Sequence, residues 1–256
     1  MGNISKAWGI VWSTEPVLTA GFLILSAVLA LVISAEIWRC YVSRRPVDDK
    51  MRLQFYRETM IMLWAFAILC VGAWLLSGRN LAELGFTINW TIGFWGAMAI
   101  AVIIIGAQAY EALSAINSAE KRKRLKATQT QHDSAYDLVA PQSRRDYQWY
   151  FPLAVTAGIT EEVVFRGFLI GFAVLFMPLW AAAIFSIAIF LLGHLYQGVK
   201  PALKLFFIAS ILTLLFVLSG SLIPGIVLHI AVDIFSGVFF YLAQRDDRSD
   251  AALALS

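Results

Sequence analysis

Two long uncharged stretches constrain the fold of this 256-residue chain more than any other feature. Residues 17–35 and residues 167–193 contain no Asp, Glu, Lys or Arg. A helix that crosses the hydrocarbon core of a bilayer needs about 20 apolar residues, and both stretches reach that length. Charged residues make up 14% of the chain, well below the roughly 25% that is usual in soluble domains. The sequence therefore predicts an integral membrane protein and excludes a soluble domain of any size.

Hydropathy predicts an all-α, polytopic transmembrane bundle of about seven helices, with eight as the alternative number. We expect the whole chain, residues 1–256, to form one membrane domain. Polar connections are expected at residues 38–56 and 78–89, and residues 114–149 are expected to form a cytoplasmic loop. The predicted helices span residues 16–37, 57–77, 90–113, 150–176, 179–197, 201–218 and 222–243.

The positions of the basic residues predict the orientation of the bundle. Most of the 20 Lys and Arg residues lie in residues 38–57, in residues 114–149 or after residue 198, and seven alternating helices place all three regions on one side. Cytoplasmic loops are enriched in Lys and Arg. We therefore expect an outside N-terminus, a cytoplasmic C-terminus and a plasma-membrane location. In a membrane protein the net charge of +3 is not evidence for nucleic acid, and we expect membrane lipid as the partner.

Ionisable side chains inside the predicted helices are few and concentrated in the second half of the chain. Such groups are costly in lipid, and by default they mark functional sites. The fourth, fifth and seventh predicted helices carry them: Glu161, Glu162 and Arg166, then His194, then His229 and Asp233.

Helical spacing sorts these groups by face. Glu162 and Arg166 are four residues apart and can form an ion pair. Glu161 is turned by about 100° from Glu162, so it can face a cavity instead. His229 and Asp233 also share a face, and we expect Asp233 to orient the His229 ring.

These residue types are suited to activating a water molecule. A buried carboxylate such as Glu161 is a suitable general base. The imidazoles of His194 and His229 can donate hydrogen bonds to an oxyanion, or they can bind a metal. The chain lacks the HExxH pattern of zincin helices.

Three short motifs occur in order on these helices. Residues 161–166 (EEVVFR) match EExxxR, residues 190–194 (FLLGH) match FxxxH, and residues 229–233 (HIAVD) match HxxxN/D. In this order and on late membrane helices, they resemble the CPBP family of intramembrane proteases. This family is also called the Abi or type II CAAX prenyl protease family, and it includes Rce1-like enzymes. The resemblance covers about residues 80–240.

The resemblance implies proteolysis within the membrane. Glu161 matches the family's catalytic glutamate, and His194 and His229 match its catalytic histidines. Asp233 matches a last polar position that is Asn in many relatives, and its negative charge argues against an Asn-like oxyanion role. The family is often described as metalloproteases. On this sequence, zinc held by His194 and His229 and a metal-free glutamate–histidine mechanism have equal standing.

We therefore predict an intramembrane endopeptidase that hydrolyses a peptide bond with glutamate-activated water. Its expected substrate is a membrane-associated peptide or protein, with CAAX-type processing of a prenylated one included. Two other classes stay open: a non-catalytic membrane scaffold or immunity protein, and a proton-coupled transporter with a glutamate–histidine relay. The lack of an inverted repeat disfavours the transporter. The protease prediction requires positions 161, 194 and 229 to meet around one cavity, which we expect to open to the cytoplasm.

Overall fold

The computed structural model describes residues 15–37, 47–129, 136–194 and 199–245. Every regular element in these ranges is helical and none is a strand, which confirms the predicted all-α membrane bundle. In chain order the elements are α1 (Pro16–Ile37), α2 (Asp49–Leu76), α3 (Ile92–Ile116), α4 (Ala119–Gln129), α5 (Tyr136–Val139), α6 (Arg144–Glu161), a π-helix (Glu162–Ile170), α7 (Gly171–Ala173), α8 (Leu179–His194), α9 (Val199–Ser219) and α10 (Ile223–Ala243).

Four of the described helices are long and apolar enough to cross a membrane: α2, α3, α10 and the part of α9 from Ala202 onwards. Helices α1 and α8 contribute shorter apolar segments, Pro16–Leu31 and Leu179–His194. The chain is therefore an integral membrane protein. Each of the seven predicted segments coincides with helical structure in the described chain. The fourth, residues 150–176, is not a regular span, because it consists of the end of α6, the π-helix and α7.

Helices α2 and α6 begin earlier than predicted, inside what hydropathy indicates as polar connections. Asp48 caps α2 through its side chain, and Ser143 and Asp146 form a capping box at the start of α6. Caps of this kind satisfy the first amide groups of a helix. They allow both helices to extend through polar residues beyond the apolar span. The predicted loop at residues 114–149 likewise contains α4 and α5.

A buried ion pair joins the beginnings of α2 and α6. Arg52 donates to the Asp146 carboxylate at 2.9 Å, and both side chains are buried. Asp146 also accepts from the backbone amides of Gln142 and Ser143. A buried charge is tolerated when it is paired and hydrogen-bonded in this way. The two helices therefore start from the same end of the molecule and pack side by side.

Helices α6 and α10 pack closely because glycines let their backbones approach. A Cβ on Gly158 would lie 2.8 Å from the backbone nitrogen of Ile230, and one on Gly237 would lie 2.6 Å from the Tyr150 ring. The Tyr150 hydroxyl also donates to the carbonyl of Asp233 at 3.0 Å. These contacts fix α10 against α6 at the level of its ionisable residues.

The connection between α2 and α3 folds onto the start of α10. The amide of Leu222 donates to the Gly85 carbonyl at 2.9 Å, and the Ser221 hydroxyl donates to the Thr87 carbonyl at 2.6 Å. Gly85 has a φ of 107°, which non-glycine residues rarely adopt. A Cβ there would also lie 2.9 Å from the Phe216 ring. The α2–α3 connection therefore holds the start of α10 in place, ahead of the turns that carry His229.

Candidate active site

The EExxxR motif lies where the helix changes type. Helix α6 ends at Glu161, and Glu162–Ile170 continues as a π-helix. Hydrogen bonds from i to i+5 are rare in proteins, and they are frequently found at functional sites. All nine residues of the π-helix are buried. The motif is therefore enclosed by protein and does not face lipid.

Glu162 is the central acceptor of the site. Its Oε1 accepts one hydrogen bond from Arg166 Nη1 at 2.9 Å and another from His229 Nδ1 at 2.9 Å. Glu162 and Arg166 have no exposed surface, and His229 is only 4% exposed. The ion pair expected from the spacing of Glu162 and Arg166 is present, and the same oxygen also holds the histidine.

Arg166 connects the π-helix to α8 and α9. Its Nε donates to the Thr213 hydroxyl at 3.3 Å, and its Nη2 donates to the Ala209 carbonyl at 3.2 Å. The guanidinium lies over the Phe190 ring, 4.9 Å from its centroid. The motifs did not reveal Thr213 or Ala209. A hydroxyl in the middle of the apolar α9 sequence was the one available signal for this contact.

Glu162 makes the hydrogen bond to the His229 ring, and the orienting role expected of Asp233 stays a prediction. Asp233 Oδ2 lies 3.8 Å from His229 Nε2, which is beyond hydrogen-bond length. Asp233 shares a helix with His229 and approaches only the Nε2 edge of the ring. Glu162 reaches Nδ1 from the neighbouring helix. Because a carboxylate only accepts, Nδ1 carries the proton in this bond.

Glu161 approaches the same histidine at its other nitrogen. Its Oε2 lies 3.7 Å from His229 Nε2, and the residue is 8% exposed. This separation exceeds a direct hydrogen bond, and at such a separation a water molecule can bridge two polar groups. The Nε2 atom of His229 therefore faces both Glu161 and Asp233.

His194 is linked to His229 through one aromatic ring. The Nδ1 of His194 donates to the Phe190 carbonyl at 2.8 Å, and the two rings stack with centroids 4.3 Å apart. The Phe190 ring also makes an edge contact with His229, with centroids 6.4 Å apart. The structure thus brings Glu161 to His229, and it places His194 and His229 in contact with the same side chain.

Gly225 determines how closely Glu162 can approach α10. A Cβ at this position would lie 2.8 Å from Glu162 Oε2. That oxygen is buried and has no hydrogen-bond partner among the described residues. Any larger side chain would push the carboxylate away from His229. This role could not be predicted from the sequence, because Pro224 followed by Gly225 is typical of an ordinary helix start.

The side chains of the site do not form a set of metal ligands. Among the described residues, no group of three or more His, Cys, Asp or Glu side chains is arranged to hold a metal ion. The Nδ1 atoms of His194 and His229 are bonded to a carbonyl and to a carboxylate. The zinc that the sequence left open has no fitted ligand set in this part of the chain, and the zinc and metal-free mechanisms both stay predictions.

Two cavities lie outside the site. One of about 40 Å³ lies beside the π-helix and has apolar walls that include Phe165 and Ile189. The other, of about 630 Å³, lies where α2 begins. Neither is lined by Glu161, His194 or His229. The shared wet cavity around these residues, open to the cytoplasm, therefore stays a prediction.

The part of the chain that forms this site matches a known protein family. Residues 144–235 match the family model described as type II CAAX prenyl endopeptidase Rce1-like. The matched region runs from the first residue of α6 into α10, and it contains all six predicted site residues. Neither the curated proteins nor the solved structures that were compared gave a match.

Proposed function

We propose that this chain, whose residues 144–235 match the family model described as type II CAAX prenyl endopeptidase Rce1-like, is an intramembrane endopeptidase in which Glu161 activates water. One observation carries the proposal: Glu161 Oε2 lies 3.7 Å from His229 Nε2. A general base must reach the proton it removes, directly or through one water. The short separation of a carboxylate and an imidazole from two helices supports the assignment of Glu161 as this base.

The contacts of the two glutamates divide their roles. Glu162 Oε1 is held by Arg166 and His229, and its Oε2 is packed against Gly225. Charge-assisted bonds of this kind are strong, and a carboxylate fixed by two of them is suited to orientation. Glu161 makes the looser contact, so it is the better candidate for the group that exchanges a proton with water.

In the proposed reaction, Glu161 removes a proton from water as the water oxygen bonds to the scissile carbonyl carbon. Preorganised donors stabilise the oxyanion that forms, and His229 and His194 are assigned this role in their doubly protonated forms, in which Nε2 donates while Nδ1 keeps its bond to the protein. Glu161 then delivers the proton to the amine nitrogen as the C–N bond breaks. Asp233, 3.8 Å from His229 Nε2, offsets positive charge on that ring during the reaction.

We propose that the substrate is a membrane-anchored peptide, with a prenylated CAAX-type peptide as the first candidate. The description of the matched family names this substrate class. The site residues lie on helices of an apolar bundle, which a lipid-anchored peptide can approach from within the bilayer. The 40 Å³ cavity beside the π-helix has room for about one water molecule.

We further propose a plasma-membrane location with a cytoplasmic C-terminus, on the basis of the positive-inside rule. Exposed positions before and after α3 test the orientation in a background that lacks Cys40. A membrane-impermeant maleimide applied to intact cells is expected to label Ala82→Cys and not Ala119→Cys. The opposite labelling pattern would reverse the topology.

The experiment for the catalytic role compares Glu161→Gln with wild type on a farnesylated fluorogenic peptide in liposomes. General-base catalysis contributes roughly 10²–10⁴-fold, so we expect a loss of cleavage of that size with an unchanged unfolding midpoint. Glu83→Gln, which neutralises an exposed carboxylate in the α2–α3 connection, is the matched control. Full activity of Glu161→Gln would remove the mechanism. A wild type that never cleaves but carries protons across liposomes would favour the transporter.

A further inference from the structure

A cavity of about 630 Å³ lies where α2 and α6 begin, away from the proposed active site. Basic side chains of both helices and apolar side chains of α2 contribute to its lining: Lys50, Leu53, Arg57 and Ile61 of α2 and Arg145 of α6. Glu58 is the last charged residue of α2 before an uninterrupted apolar stretch. The cavity therefore lies at the boundary between the polar end of the bundle and its apolar span.

The two carboxylates in the lining are engaged by neighbours on their own helix. Asp49 accepts a hydrogen bond from Arg52 at 2.9 Å. Glu58 accepts one from Gln54 at 2.6 Å. Neither contact involves a basic residue of the cavity wall.

Three cations and two carboxylates line the cavity, so its lining carries a net charge of +1. No ion pair joins Lys50, Arg57 or Arg145 to a carboxylate in the described part of the chain. The guanidinium of Arg57 instead lies 5.8 Å from the centroid of the Trp149 ring. The N-terminal ends of α2 and α6 add partial positive charge at the same place. An anion in the cavity would offset this charge.

An apolar stripe leads away from the cavity along α2. Ile61, Trp64 and Ile68 follow Arg57 at spacings of four, three and four residues, so all of them share one helix face. Their exposed fractions are 69%, 45% and 67%. An occupant with a charged head and a long apolar chain would cover both the cations and this stripe.

We propose that the cavity binds an anionic phospholipid, with its phosphate among Lys50, Arg57 and Arg145 and an acyl chain along the stripe. Hydrogen bonds from Arg and Lys to phosphate are among the strongest in proteins. The position argues for a lipid and against the peptide substrate. Arg145 and Glu161 are roughly 24 Å apart along their helix at about 1.5 Å per residue, so a ligand here does not reach the proposed catalytic residues.

Native mass spectrometry of the purified full-length chain in detergent micelles tests the proposal, with phosphatidylglycerol and phosphatidylcholine as probes. Each Lys or Arg near an anionic lipid surface contributes modestly to the affinity for that lipid. We expect wild type to retain phosphatidylglycerol on the order of ten-fold better than phosphatidylcholine. The triple variant Lys50→Gln/Arg57→Gln/Arg145→Gln is expected to retain both lipids equally. An unchanged preference in this variant would overturn the proposal.

A matched control removes the same charge from another basic surface. The variant Lys123→Gln/Arg124→Gln/Lys126→Gln in α4 is expected to keep the preference for phosphatidylglycerol. An equal loss in this control would show general attraction to anionic lipid and no built site. If the cavity triple variant does not fold, Arg57→Gln alone decides the question, with a two- to three-fold loss expected and no loss as the contrary result.

Two competitors distinguish a lipid from other anions. We expect neither inorganic phosphate nor an unlipidated peptide with a free C-terminal carboxylate to displace phosphatidylglycerol from wild type. Displacement by phosphate would assign the cavity to free anions, and displacement by the peptide would make it a substrate-binding surface. The variant Ile61→Ser/Ile68→Ser is expected to weaken retention of the lipid, and unchanged retention would refute the acyl-chain contact.

Discussion

Replacing Glu162 with Gln is expected to lower both stability and activity, for two separable reasons. The substitution removes the negative charge that lies between Arg166 and His229 inside the protein. Breaking a buried ion pair by removing one partner costs about 3–5 kcal/mol, because the other charge stays buried. The bonds from Arg166 to Thr213 and Ala209 survive the change. We therefore expect the free energy of unfolding to fall by about 3 kcal/mol, which is the lower end of this range.

A second substitution, Arg166→Met, is expected to restore stability without restoring activity. Replacing a whole buried ion pair by groups of similar volume is often nearly neutral, so the double variant Glu162→Gln/Arg166→Met should unfold within about 1 kcal/mol of wild type. Its His229 still lacks a charged acceptor at Nδ1. Loss of an outer carboxylate that orients a histidine typically costs 10- to 100-fold, and we expect that loss of cleavage in both the single and the double variant.

The free energy of unfolding is measured by far-UV circular dichroism during SDS titration of mixed micelles, and cleavage is measured on the farnesylated peptide. Glu83→Gln serves again as the control for loss of one carboxylate. Two results would refute the reasoning. One is a Glu162→Gln variant as stable as wild type, and the other is a double variant that cleaves at the wild-type rate.

The remaining predictions concern one packing contact and one surface ion pair. Gly225→Ala is expected to lower kcat/KM at least ten-fold, since its Cβ would lie 2.8 Å from Glu162 Oε2 and a displaced orienting carboxylate costs about that much. Gly106→Ala, where no atom lies within 4 Å, should leave cleavage unchanged, and equal effects would contradict the packing argument. The hydrogen bond from Arg79 lowers the pKa of Glu15 below its usual value of 4.5. The ion pair therefore stabilises the fold above that pH, and its contribution to stability disappears as the pH falls through the lowered pKa. Unfolding free energies should therefore fall more steeply below about pH 4.5 in wild type than in Arg79→Gln, by at most about 1 kcal/mol because the pair is partly exposed; parallel pH curves would disprove it.

The sequence identified the helices that carry the site because ionisable residues in apolar segments are rare enough to be recognised one by one. Spacing within a single helix then predicted the Glu162–Arg166 pair correctly. Spacing could not predict the partner of His229. That partner depends on how two helices are rotated and how closely they approach, which Gly158 and Gly225 determine through contacts with residues distant in sequence.

Helix ends and helix type were also beyond the reach of hydropathy. Helices α2 and α6 extend through polar residues because side chains at Asp48 and Ser143 cap them. The segment EVVFRGFLI contains no proline and has the apolar character of an ordinary buried helix. Nothing in these residue types indicates hydrogen bonds from i to i+5, which are rare in proteins.

The wide turn of the π-helix has a consequence for the length of the chain. The Ser186 hydroxyl donates to the Phe165 carbonyl at 2.7 Å, so α8 is attached to the bundle inside this turn. Deleting one residue from 163–170 would let the segment close to ordinary α-helical pitch and would rotate one side of the cut by about 100° against the other. The Phe165 carbonyl would turn away from Ser186, so α8 would lose this hydrogen bond and His194 would move with α8. A shorter but perfectly regular helix would thus move Phe190 and His194 away from His229, so the contact of both histidines with Phe190 depends on the irregular segment.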